Sequence, residues 1–138
     1  MCLTYDKKAD APIRRKLRAR KRPILAWKLV DMEALNLYSL YRNHMWKVGI
    51  NESTRRGGTV PGKDANDGWP DNSLIDVNRG FHGFRKKPVS EIWTILRVWI
   101  SPKDVVAATD SEIVATKVRV TQKDYDAAIA AAGETPCA

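Results

Sequence analysis

The chain has 138 residues, 43% hydrophobic and 29% charged. At about 100 to 200 residues per domain this length predicts a single core, and such a chain buries roughly two thirds of its unfolded surface without metal or disulfides. Charged residues interrupt every apolar run short of the about 20 residues of a membrane span, so no membrane partner is expected and collagen-like, coiled-coil and wholly disordered classes are excluded.

The formal charge is +8, from 24 Lys and Arg against 16 Asp and Glu. Arg14, Arg15, Lys16, Arg18, Arg20, Lys21 and Arg22 place seven cations within nine positions. Removing them leaves 17 basic against 16 acidic residues, so the rest of the chain is close to neutral. Residues 1–23 are therefore predicted to form a basic N-terminal arm, with too few apolar side chains to join a core, and residues 24–138 a single α+β domain. The opening Met-Cys-Leu-Thr-Tyr-Asp has no apolar signal region, so export is not expected. Cys2 and Cys137 stand near the two ends, and with no CxxC pair no metal site is expected.

Pro23 closes the arm, and Ile24 to Val30 has the length and composition of a strand. Met32, Leu35, Tyr38 and Tyr41 recur every three positions, which leaves helix or irregular structure open for that stretch. Trp46 to Ile50 reads as a short strand, and residues 51–73, rich in Gly and Pro, as a long loop. Ile75 to Val77 and Phe81 to Phe84 are brief extended segments, and Pro88 to Trp93 is expected to hold a helical turn. Thr94 to Ile100 is β-branched and aromatic, the strongest strand signal in the chain. Ile113 to Val120 alternates Val114, Thr116, Val118 and Val120 against Ala115, Lys117 and Arg119, as a half-buried strand does. Thr121 and Asp124 then form a reciprocal helix cap, with Tyr125, Ala128, Ile129 and Ala132 as the buried stripe and Gly133 and Pro136 as stop signals. The expected fold class is α+β: a mixed or antiparallel sheet with a C-terminal helix laid on it.

Four features could carry chemistry. The spacing Gly57 to Lys63 approaches a phosphate loop, but Asp64 stands where Ser or Thr would hold magnesium and Pro61 removes an amide. Asp64, Asp67 and Asp71 lack the spacing of a calcium loop, so turn-forming acids are the expectation and no metal is assigned. Trp69, between Gly68 and Pro70, either covers the core or anchors a partner, while Trp27, Trp46, Trp93 and Trp99 lie in apolar segments and are expected in the core. His82 is flanked by Gly80 and Gly83 and stands near Arg79 and Arg85, either as a structural histidine or as part of a site. The candidate binding set is accordingly the seven cations of the arm with Trp69, Arg79, His82 and Arg85, and no cofactor is assigned. A Lys and Arg array attracts polyphosphate by counterion release, so the expected partner is nucleic acid or an acidic protein surface.

The order Met1-Cys2-Leu3, Trp27-Lys28-Leu29, Ser39-Leu40-Tyr41-Arg42, Trp46-Lys47-Val48-Gly49, Gly80-Phe81-His82-Gly83-Phe84 and Ser101-Pro102-Lys103-Asp104 resembles a group of small phage and prophage proteins. That group more often has Pro at the position of Leu40 and Ala or Ser at that of Gly83. The resemblance covers about residues 24–120. It implies a phage-type accessory protein for host takeover or anti-defence, acting in the host cytoplasm. More loosely, the same order looks like ADP-ribosyltransferases, which implies an NAD-using enzyme with Lys28 at the usual Arg, His82 near the usual Ser or His, and Glu112 near the catalytic acid. Lys lacks the planar fork with which Arg grips a diphosphate.

Overall fold

The structure, a computed structural model, describes residues 3–6, 10–40, 44–53, 59–61, 74–77 and 80–134, with backbone alone considered for 3–6, 59–61, 74–77 and 134. In chain order the elements are β1 (Leu3–Asp6), α1 (Ala11–Arg18), β2 (Ile24–Glu33), β3 (Asn36–Ser39), β4 (Gly49–Glu52), β5 (Thr59–Pro61) and β6 (Leu74–Val77). They continue with β7 (Phe81–Phe84), β8 (Thr94–Ile100), a 3₁₀ turn (Pro102–Asp104), β9 (Val105–Ala108), β10 (Glu112–Ala115), β11 (Lys117–Val120) and α2 (Gln122–Glu134). The α+β expectation holds, weighted toward β, and every pairing among the described residues is antiparallel.

Among the described residues the main sheet has eight strands, in the order β4-β11-β8-β2-β7-β10-β9, with β3 added beside β2. The chain passes from β10 into β11 through Thr116 alone, so the pairing β8-β2-β7-β10 returns through β11 to β8 and the sheet curls into a ring. Inside it, Ile24 and Ala26 of β2 face Ile100 and Val98 of β8, and Ile113, Ala115, Val118, Val120 and Phe81 complete the core. Strands β1, β6 and β5 form a separate three-stranded sheet.

The period-three stretch from Met32, whose last member Tyr41 lies outside the described residues, is neither helical nor irregular over Met32 to Ser39. It is a hairpin, in register from Val30↔Ser39 to Glu33↔Asn36, and its two turn residues Ala34 and Leu35 both have positive φ, 50° and 65°. A two-residue turn with positive φ at both positions matches strand twist, and the usual signal for it is Asn-Gly. Here Leu37 at 0% exposure and Ser39 at 8% turn toward the core and fix the register against turn residues that resist the conformation. Replacing Ala34-Leu35 by Asn-Gly should therefore raise stability by about 1–2 kcal/mol in denaturant melts, since each L-residue in this region costs about that much.

Three further expectations are corrected. Residues 51–73 are not one loop, because Asn51 and Glu52 belong to β4 and Thr59–Pro61 is β5. The strand at Trp46 to Ile50 begins later, at Gly49, since Trp46 turns into the core against His44 and Phe81. Pro88 to Trp93 holds no helical turn: the Ser90 hydroxyl accepts the N–H groups of Ile92 and Trp93 at 3.3 and 2.9 Å, closing a bend.

The predicted strand Ile113 to Val120 breaks at Thr116. Its inward residues are Ile113 and Ala115, then Val118 and Val120, so the alternation changes phase where Thr116 bends the chain. The Thr116 N–H donates to Asp104 O at 3.1 Å and its carbonyl accepts Ser53 N–H at 3.0 Å.

The Thr121 and Asp124 cap is present as expected. The Asp124 N–H donates to Thr121 Oγ1 at 3.1 Å, and the Thr121 hydroxyl donates back to Asp124 Oδ2 at 2.9 Å. Asp124, only 4% exposed, also accepts Arg97 Nε at 2.8 Å and Trp99 Nε1 at 3.0 Å, pinning α2 to β8. Burial opposes its ionisation most strongly, but the bonds from Thr121, Trp99 and Arg97 with the Arg97 charge together hold the carboxyl below its ordinary 3.8. A depressed folded value stabilises the fold above the ordinary carboxylate range, and that stability is lost as pH falls through the folded value. Asp124→Asn should cost about 2–3 kcal/mol at neutral pH and make the loss of stability on acidification shallower, read by denaturant melts along a pH series.

The helix α2 runs through Gly133 to Glu134 rather than stopping before it. Among the described residues no helix is long and apolar enough to cross a membrane.

Candidate functional site

The basic segment is not the free arm expected from composition. Ala11–Arg18 is helical, with Pro12 in its first turn, and α1 packs on β9 and the 3₁₀ turn. Leu17 is 1% exposed within the main core and Ile13, one turn earlier, is packed against it. Positions i and i+4 share one helix face, so two apolar side chains suffice to seat the helix while its cations project elsewhere. Arg15, Lys16 and Arg18 lie in the last turn, where they complement the helix dipole.

The seven cations divide by environment. Arg14 is half-buried, and among the described residues its Nε has no hydrogen-bond partner. Arg18, though exposed, donates from Nη1 to Val105 O at 3.2 Å and so helps dock α1 on β9. Arg15, Lys16, Arg20, Lys21 and Arg22 are exposed.

Pro23 links this segment to a groove of about 580 Å³ that the sequence reading did not assign. Lys103 of the 3₁₀ turn and Lys117 and Arg119 of β11 line it, with Ile50, Trp99 and one acid, Asp104. Arg119 is in register with Ile50 on one side and Trp99 on the other, so all three project from the outer face of neighbouring strands. Lys117 faces Glu52 across β4, yet among the described residues none of Lys103, Lys117 and Arg119 forms an ion pair. The available signal was the alternation that sets Lys117 and Arg119 opposite Val118 and Val120. Trp99 is not simply a core residue: its indole N–H is held by Asp124, and the Arg97 guanidinium lies 5.7 Å from its ring centre.

No family model, curated protein or solved structure matches the chain.

A second, smaller cavity of about 150 Å³ lies where β7 parts from β2 and β3 begins. Lys28, Ser39, His82, Trp93 and Glu112 are among its lining residues, so Lys28, His82 and Glu112 do come together. They arrive from opposite faces of the sheet. Lys28 is in register with the buried Leu96 and faces inward, whereas Glu112 opposes Phe84, which opposes Trp27, placing Glu112 and the diagonal His82 outward. Lys28 Nζ donates to the His82 carbonyl at 2.6 Å, tying β2 to β7 beside their pairing at Trp27↔Phe84. Gly83 permits this approach of β7 to β2, since a Cβ there would lie 3.2 Å from the Trp27 carbonyl oxygen; Gly80, with φ +85°, does the same toward β10, where a Cβ would lie 2.6 Å from the Ala115 carbonyl oxygen.

Arg85 is committed to structure, its Nη1 donating to Thr109 O at 3.0 Å and its N–H to Ser111 O at 2.8 Å. Trp93, expected in the core, is 40% exposed at the rim of the small cavity. Trp69 and Arg79 lie outside the described residues, as do Asp64, Asp67, Asp71, Cys2 and Cys137; of the phosphate-loop spacing only Thr59–Pro61 is described, and it is extended. Among the described residues no cluster of His, Cys, Asp and Glu is arranged to hold a metal ion.

Proposed function

We propose that this protein binds nucleic acid through a basic surface running from α1 and residues 20–22 into the groove beside Pro23, as an accessory protein of the kind the phage resemblance implies, acting in the host cytoplasm. The observation that carries this reading is the anchoring of Leu17, which holds the cations of α1 against the 3₁₀ turn bearing Lys103, itself in one groove with Pro23, Lys117 and Arg119. Cations held in place bind phosphates without first losing the conformational freedom of a tail. An acidic protein surface is the alternative partner for the same charges. Pull-down of tagged protein from bacterial lysate, with and without nuclease, separates the two: retention of nucleic acid that nuclease removes supports the reading, and capture indifferent to nuclease opposes it.

The meeting of Lys28, His82 and Glu112 at one cavity favours a second reading, an NAD-using enzyme of ADP-ribosyltransferase type. Its size argues against it, since pockets for drug-sized ligands run from about 300 to 1,000 Å³ and a dinucleotide is larger than most such ligands. Lys28 is moreover engaged with a backbone carbonyl. Under this reading Glu112→Gln abolishes NAD consumption, because an amide cannot stabilise developing oxocarbenium charge. Wild-type protein that leaves NAD intact, with or without host extract, eliminates it.

A further inference from the structure

The groove beside Pro23 has more than charge. Its floor carries a row across three strands, Ile50 of β4, Arg119 of β11 and Trp99 of β8, all projecting from the same face. Ile50 is 52% exposed, an apolar side chain that phosphate binding alone does not require. Trp99 is held at its indole N–H by Asp124, a buried carboxylate, and carries the Arg97 guanidinium over one face; Arg97 does not line the groove, so the ring is set before any ligand arrives and offers its other face. Lys103 and Lys117 stand in the same groove.

A planar aromatic ring, a guanidinium and an apolar side chain in one row offer faces rather than hydrogen-bonding edges. Nucleobases expose their faces only when unpaired, since in a duplex each face is covered by its neighbour. Stacking on such a platform accepts every base, because each has a π-face, while flanking cations follow the backbone. We infer that the groove receives the bases of a single-stranded nucleic acid on Trp99, Arg119 and Ile50, with Lys103 and Lys117 on its phosphates. This rests on the nucleic-acid reading and makes it specific: the segment Arg20–Arg22 leads the strand in, and the groove selects unpaired bases.

The test compares a labelled oligothymidylate of about 16 nucleotides, near the upper site size of single-strand-binding barrels, with a hairpin duplex of similar length at one salt concentration. The single strand is expected to bind at least about tenfold more tightly. Trp99→Leu, which keeps an apolar side chain but removes the π-face, should weaken single-strand binding by roughly tenfold and leave duplex binding unchanged. Trp99→Leu also removes a bond to Asp124, so Ile50→Ser, an exposed change that removes the apolar side chain without altering charge, is the second variant and should have the same selective effect. Equal or tighter binding of the duplex overturns the single-strand inference and leaves the nucleic-acid reading standing. A single-strand preference that survives in both variants overturns the groove as its source. Failure of both probes to bind at low salt overturns the nucleic-acid reading itself.

Discussion

Leu17→Ala should lower the stability of the folded protein by about 3–5 kcal/mol, the cost of removing a fully buried Leu from a core that cannot collapse onto the space. The side chain is 1% exposed and joins α1 to the core that includes Val105, Ala108 and Ile113. Deleting residues 1–22 should be at least as damaging, because it also removes Ile13 and the bond from Arg18 to the Val105 carbonyl. Urea melts followed by tryptophan fluorescence measure both. A midpoint unchanged by Leu17→Ala would mean that the helix is not seated and that the basic segment behaves as a tail.

Replacing Arg15, Lys16, Arg20, Lys21 and Arg22 together by Gln should weaken nucleic-acid binding by at least about 100-fold at about 50 mM salt, since backbone charge supplies most of the non-specific affinity. Arg14 and Arg18 are left in place, because one is half-buried and the other docks α1. The variant should melt within about 0.5 kcal/mol of the wild type, as exposed substitutions usually do. Loss of binding can then be assigned to charge rather than to unfolding.

Much of the fold is legible in the sequence where a strand buries one face and alternates cleanly. Thr94 to Ile100 is a strand at those bounds, Phe81 to Phe84 is one without clean alternation of burial, and the Thr121 and Asp124 cap marks the start of α2. What escapes is each place where tertiary packing overrides the local signal. Ala34-Leu35 carries no Gly or Asn, so the hairpin it forms is hidden by a period-three pattern that resembles a helix. Strand β9, Val105–Ala108, is buried on both faces along most of its length and so shows no alternation. Helix α1 is masked by its own cations, although Ile13 and Leu17 at i and i+4 after Pro12 are its signature.

The candidate site divides in the same way. Seven cations in nine positions are conspicuous in the linear chain. Lys103, Lys117 and Arg119 are not, because the ring of strands rather than chain proximity brings them beside Pro23. Trp99 reads as core from its apolar neighbours, and only the carboxylate at its indole nitrogen shows that one edge is held while the groove reaches its ring.

The most direct measurement of the central claim is the salt dependence of oligonucleotide affinity, by anisotropy, for wild type and for the five-cation variant. On a single strand each phosphate contact contributes about 0.7 to the slope of log affinity against log salt, so the wild-type slope should be steeper than about −3.5 and the variant's shallower by about 3.5. A wild-type affinity indifferent to salt, or the same slope in both proteins, would contradict the account.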